Sequence, residues 1–114
     1  MKQFIRVMKA LSDPNRVKIV KMLEKKELCV CELTAALGLA QPTVSKHLKQ
    51  LEDAELVESR KDGPWVNYSL VTEEGSPYAA AMLKQVEKWL NDDKNIVDLI
   101  LRLPAFDRER INAA

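Results

Sequence analysis

Apolar residues recur at helical spacing through the first half of the chain and give way to alternation near its middle. Phe4, Ile5, Met8 and Leu11 fall on one face of a first helix. Asp13-Pro14 reads as an N-cap followed by proline at the first helical position. It opens a second helix whose stripe is Val17, Ile19, Val20 and Leu23. Leu33 and Leu37 lie one turn apart in a third helix, which Gly38 stops. Gln41-Pro42 opens a fourth, with Val44, Leu48 and Leu51 turned inward.

After Leu56 the period shortens to two. Val57 to Arg60 reads as a strand, Lys61-Asp62-Gly63-Pro64 as a turn, and Trp65 to Val71 as the returning strand. Ser76-Pro77 opens another capped helix, lined by Tyr78, Met82, Val86 and Trp89. Asn91-Asp92-Asp93 interrupts, and Ile96 to Leu103 forms a last apolar helix ending at Pro104. The order predicts one domain over residues 1–104, mainly α with a small β-hairpin wing, and a loose tail over 105–114. Phe4, Met8, Met82, Val86 and Trp89 give the first and C-terminal helices more apolar surface than a small monomer hides, which predicts a homodimer.

The third helix, the turn at Gly38-Leu39-Ala40 and the fourth helix make a helix-turn-helix, and with the hairpin a winged one. Opposite its apolar stripe the fourth helix carries Thr43, Lys46 and His47, with Gln41 and Ser45 crowding its first turns. Amides, hydroxyls and a cation near a helix N-terminus suit base edges and phosphates. Arg60 and Lys61, at the tip of the hairpin, would meet the DNA backbone beside the groove. The competing reading of the same order is a protein-binding winged helix, with the polar face packed on a partner.

Charge adds to this picture only through its distribution. The net charge of the 114 residues is +1, but residues 1–26 carry a balance of +6, residues 27–61 of −2 and residues 62–114 of −3. A basic front allows one phosphate-facing surface. No apolar run is long enough to span a membrane, and Lys2, Arg6 and Lys9 interrupt any secretory signal, so the expected location is the cytoplasm, with reduced cysteines. Three scattered glycines form no phosphate loop and the single histidine sits on the fourth helix, so no catalytic constellation is expected, nor any cofactor for folding.

Both cysteines lie in Glu27-Leu-Cys-Val-Cys-Glu-Leu33. Thiolates are ligands for thiophilic ions. Residues i and i+2 point about 200° apart on a helix and cannot grip one ion, whereas on an extended segment they share a face. Chelation by Cys29 and Cys31 therefore requires the start of the third helix to be, or become, non-helical. Core filling by two small side chains and a thiol-redox switch are the other readings of the pair.

Several stretches resemble the ArsR-type family of metalloregulatory repressors: Leu33 to Leu51, Leu56-Val57, Trp65-Val-Asn-Tyr-Ser-Leu70 and Ala10-Leu-Ser-Asp-Pro-Asn-Arg16. The resemblance implies a winged-helix dimer that releases double-stranded operator DNA on binding an inducer. It carries Gln41, Thr43, Ser45, Lys46 and His47 over as recognition-helix contacts and Arg60 and Lys61 as wing contacts. The cysteine segment resembles the inducer box of arsenic-responsive members, which implies arsenite or antimonite at Cys29 and Cys31. That pattern often has a third cysteine three residues on, where this chain has Thr34. The histidine- and carboxylate-rich zinc site of other members has no counterpart here.

Overall fold

The computed structural model of the chain describes residues 1–72 and 75–112. Helix α1 spans Lys2–Ala10 and buries Val7 and Ala10, while Phe4 and Ile5, on the face marked by the period, are each 41% exposed. Asp13 caps α2 (Pro14–Leu23), its carboxylate accepting the amides of Asn15 at 2.8 Å and Arg16 at 3.2 Å. Burial pushes the Asp13 carboxyl up. The two amides and the charges of Arg16 and His47 outweigh it, so the group titrates below its ordinary value.

A two-residue strand, β1 (Leu28–Cys29), leads directly into α3 (Val30–Leu37). Gly38 ends α3 with φ +67°, the left-handed conformation a side chain resists, and its amide bonds the Thr34 carbonyl at 3.0 Å. Helix α4 (Gln41–Asp53) follows, held on the body by Val44, Leu48 and Leu51, all 1% exposed or less.

Strands β2 (Val57–Asp62) and β3 (Trp65–Leu70) form the antiparallel hairpin. Their pairing runs to Asp62 opposite Trp65, so Lys61 and Asp62 are strand and only Gly63 and Pro64 turn. Gly63 takes φ +59°, and the amide that Pro64 lacks is not needed by the ladder. The sheet has three strands, in the order β1-β3-β2, because β1 pairs antiparallel with β3, Leu28 opposite Tyr68 and Cys29 opposite Asn67.

Ser76 caps α5 (Pro77–Lys88) and Asp93 caps α6 (Lys94–Arg102). The Lys21 ammonium, 1% exposed, reaches from α2 to the end of α5. It donates to the carbonyls of Val86 and Trp89 and to Asn91 Oδ1, each at 2.9 Å, and pairs with Glu24 at 2.8 Å. This satisfies the ammonium and the carbonyl ends of α5 together.

The tail differs from expectation. Leu103–Phe106 continues α6 as a 3-10 turn, Leu103 is buried and Phe106 packs against the core, and Arg108–Asn112 forms a seventh helix, α7. Its anchor is polar: Glu32 Oε2 accepts the Arg108 amide at 2.9 Å. Residues 113 and 114 lie outside the described residues. Among those described, no helix is long and apolar enough to cross a membrane.

Candidate nucleic-acid interface and thiol site

The outward face of α4 carries Gln41, Thr43, Ser45 and Lys46 as exposed side chains, with His47 half-buried at its edge. Proline at the helix start and the three buried anchors orient these side chains away from the body. His47 does not stand alone. Arg16 Nη1 lies 3.3 Å from His47 Nδ1, within reach to donate to it in the tautomer that carries its proton on Nε2. Arg16 is itself fixed by bonds to the carbonyls of Ala10 at 2.7 Å and Lys9 at 3.1 Å. Arg16, Thr43, Lys46, His47, Lys49 and Gln50 line a shallow groove of about 430 Å³ along the helix. Arg16 was not singled out as a site residue, although it closes the Asp13-Pro14-Asn15-Arg16 stretch.

The wing distributes its charges less simply. Lys61 is exposed on β2, one residue before the end of the ladder. Arg60 is not at the tip. It faces Asn67 within the ladder and makes a two-pronged pair with Glu27, Nε donating to Oε1 at 3.2 Å and Nη2 to Oε2 at 3.0 Å. The hydrogen bond and charge of Glu27 raise its already high pKa. On the α4 side, Ser59 Oγ donates to Glu52 Oε2 at 3.1 Å. Burial, followed by the charge of Glu52, pushes the Tyr68 phenol up.

The two cysteines are brought together. Cys29 is the N-cap of α3 in extended conformation, φ −81° and ψ 164°, and Cys31 is in the first turn. Their Cα atoms are 5.4 Å apart and their sulfurs are joined as a disulfide. The non-helical start that chelation requires therefore exists at rest, because β1 holds Cys29 in the sheet, and no helix has to unwind to form it. Cys29 is 1% exposed and Cys31 is half-buried. Glu32, also buried, turns back to accept the Cys29 amide on Oε1 at 2.8 Å. Thr34, where the resemblance has its third cysteine, keeps a buried hydroxyl with no hydrogen-bond partner. Among the described residues no group of three or more His, Cys, Asp or Glu side chains could hold a metal ion.

The residues assigned to a subunit face separate. Phe4 and Trp89 are exposed by 41% and 51%, and Phe4 stands edge-on to Tyr78 with ring centroids 5.7 Å apart. Met8 and Met82 pack partly against the core. Val86 is 6% exposed and belongs to the chain's own core, on the inner side of α5 beneath Lys21, so it offers no surface to a partner.

A sequence profile of bacterial regulatory proteins, the arsR family, matches residues 13–59, from the cap of α2 into β2. The chain is 42% identical over 92 residues to the arsenic resistance transcriptional regulator ArsR1 of Pseudomonas putida, covering 76% of this chain and 71% of that protein. It is 36% identical over 102 residues to the arsenical resistance operon repressor of Escherichia coli, covering 87% and 83%. Among solved structures it is similar to a homodimeric winged helix-turn-helix DNA-binding domain of Mycobacterium bovis. The TM-score there is 0.64 at 27% identity, over 89% of this chain and 83% of that one.

Proposed function

The chain belongs to the arsR family of bacterial regulatory proteins, and on that premise we propose that it is a homodimeric repressor of an arsenic-resistance operon that lets go of its operator when arsenite binds Cys29 and Cys31. The relatives named for arsenic resistance support the operon class. One observation carries the effector assignment: the two sulfurs meet at the junction where the third strand of the wing sheet becomes the first helix of the helix-turn-helix. A ligand there acts on both DNA-facing elements at once.

In the dithiol form the chemistry is a double exchange. Arsenous acid loses two hydroxyl groups as water, taking the two thiol protons, and forms two arsenic–sulfur bonds. The third position on arsenic keeps hydroxide or takes a small thiol. Lys46, Thr43, Ser45 and Gln41 read the groove from α4, His47 is steadied by Arg16, and Lys61 serves the backbone from the wing. In the dimer, half-sites fall about one helical turn, roughly 34–36 Å, apart.

The test is a titration of the unmodified chain on DNA from upstream of its own operon, with and without arsenite, beside a Cys29→Ser/Cys31→Ser variant. Arsenite should release the first and leave the second bound. Release of the double variant by arsenite sinks the assignment. A second reading has the joined sulfurs in its favour: peroxide converts the dithiol to the disulfide and two waters, and oxidation is the signal. Release by peroxide with no response to arsenite selects that reading.

A further inference from the structure

The C-terminal segment is tied to both ends of the proposed signal. Glu32 uses its two carboxylate oxygens on two different parts of the chain, Oε1 on the Cys29 amide at 2.8 Å and Oε2 on the Arg108 amide at 2.9 Å. It is buried, so each bond is made without competing water. Arg108 in turn spends its side chain on the wing. Its guanidinium lies 5.0 Å from the centroid of the Trp65 ring, donates to Asn67 Oδ1 at 3.3 Å and lies 3.4 Å from Asp62 Oδ2. Asp62 and Trp65 are the pair that closes the hairpin, and Asn67 is the residue opposite Cys29 in the ladder.

We infer that Glu32 and Arg108 are positioning residues for the response: they form a strap that holds the wing in its DNA-bound setting, and loading the cysteine pair releases it. The inference rests on the reading of Cys29 and Cys31 as the arsenite site. An ion bonded to both sulfurs must sit between atoms that are in bonding contact in this structure, so the sulfurs part, and the Cys29 backbone shifts with them, including the amide held by Oε1. Glu32 then cannot keep both partners in line, and Arg108 loses its footing while the wing loses Arg108. A one-residue movement at Cys29 thereby becomes freedom at the hairpin end, which the two-residue β1 ladder alone transmits weakly.

Thermodynamic linkage gives the strap a signature that mere damage lacks. If it favours the DNA-bound setting over the loaded one, cutting it must move the ratio of the two affinities toward arsenite; because the free chain holds the strap, most of that factor appears as tighter arsenite binding and the remainder as weaker DNA binding. The experiment uses the full-length chain with Arg108→Ala. It reads DNA affinity by fluorescence anisotropy without arsenite and arsenite affinity by arsenic–thiolate absorbance without DNA. Loss of contacts from one charged group should tighten arsenite binding relative to DNA binding on the order of fivefold to tenfold. Glu32→Gln, and a chain ended at Asp107, should shift them the same way. Both affinities unchanged within about twofold, both weakened together, or DNA binding alone weakened would each overturn the strap. If the unmodified chain does not answer arsenite at all, the effector reading falls and the strap with it. If the unmodified chain answers and the variants match it, the strap alone falls.

Discussion

The recognition helix and the cysteine segment are neighbours in the chain and opposites in construction. On α4 the side chains assigned to DNA are held out in the open by three buried anchors, and among the described residues Gln41, Thr43, Ser45 and Lys46 make no side-chain hydrogen bond or ion pair. In the cysteine segment nearly every residue is engaged: Glu27 with Arg60, Leu28 and Cys29 with β3, Cys31 with Cys29, Glu32 with Arg108. A surface that reads a ligand needs its groups unspent. A segment that reports a ligand needs them committed, since only a bond that already exists can be broken by binding.

The sharpest contrast lies in stability. Leu33, 0% exposed in α3, should cost about 3 kcal/mol on Leu33→Ala, read from urea unfolding. Thr43→Ala, on the open face, should stay within about 0.5 kcal/mol and change only sequence preference. Equal costs would erase the distinction between the two regions. Gly38 sits at their joint. An added methyl meets no atom within 4 Å, so Gly38→Ala should lose about 1 kcal/mol through the backbone alone, measured as a lower melting temperature.

Much of the first region was legible because it is periodic. Val44, Leu48 and Leu51 mark one face of α4, so the polar remainder is read by subtraction, and Gly38 announces its own φ. The second region is built from pairings that no period signals. A strand of two residues cannot alternate, its partner Asn67 lies 38 positions on, and Arg60 finds Glu27 across 33. The tail reads as loose because it has little to bury beyond Phe106, while its hold includes one amide on Glu32 and one guanidinium on Trp65. Val86 misled for a related reason: spacing shows that α5 has a stripe, not which part of that stripe turns inward.

Two smaller tests probe the rim of each region. Asp13 supports the turn that carries Arg16 toward His47. Its folded pKa lies below the unfolded value, so its contribution is complete above pH about 4 and disappears as the pH falls through the folded pKa. Asp13→Ala should cost about 1 kcal/mol near neutrality, and the gap from the unmodified chain should narrow in acid. A gap that does not change between pH 7 and pH 3 contradicts the capping role. Lys46→Ala should weaken binding to all DNA sequences alike and lower the salt slope by about one ion, with stability unchanged. A loss confined to the operator would make Lys46 a base reader.

The sheet order has a consequence for how the protein behaves in a crowd. With β3 in the middle, the two edge strands are β1 and β2. A bare strand border invites the strands of other molecules, the first step toward fibrous or amorphous precipitate. Here β1 is too short to act as a template, and β2 reads Val-Glu-Ser-Arg-Lys-Asp, with charges of both signs set along four exposed positions. An incoming strand would have to match that sequence of charges or bury it. The wing can therefore stay thin and solvent-washed without becoming adhesive.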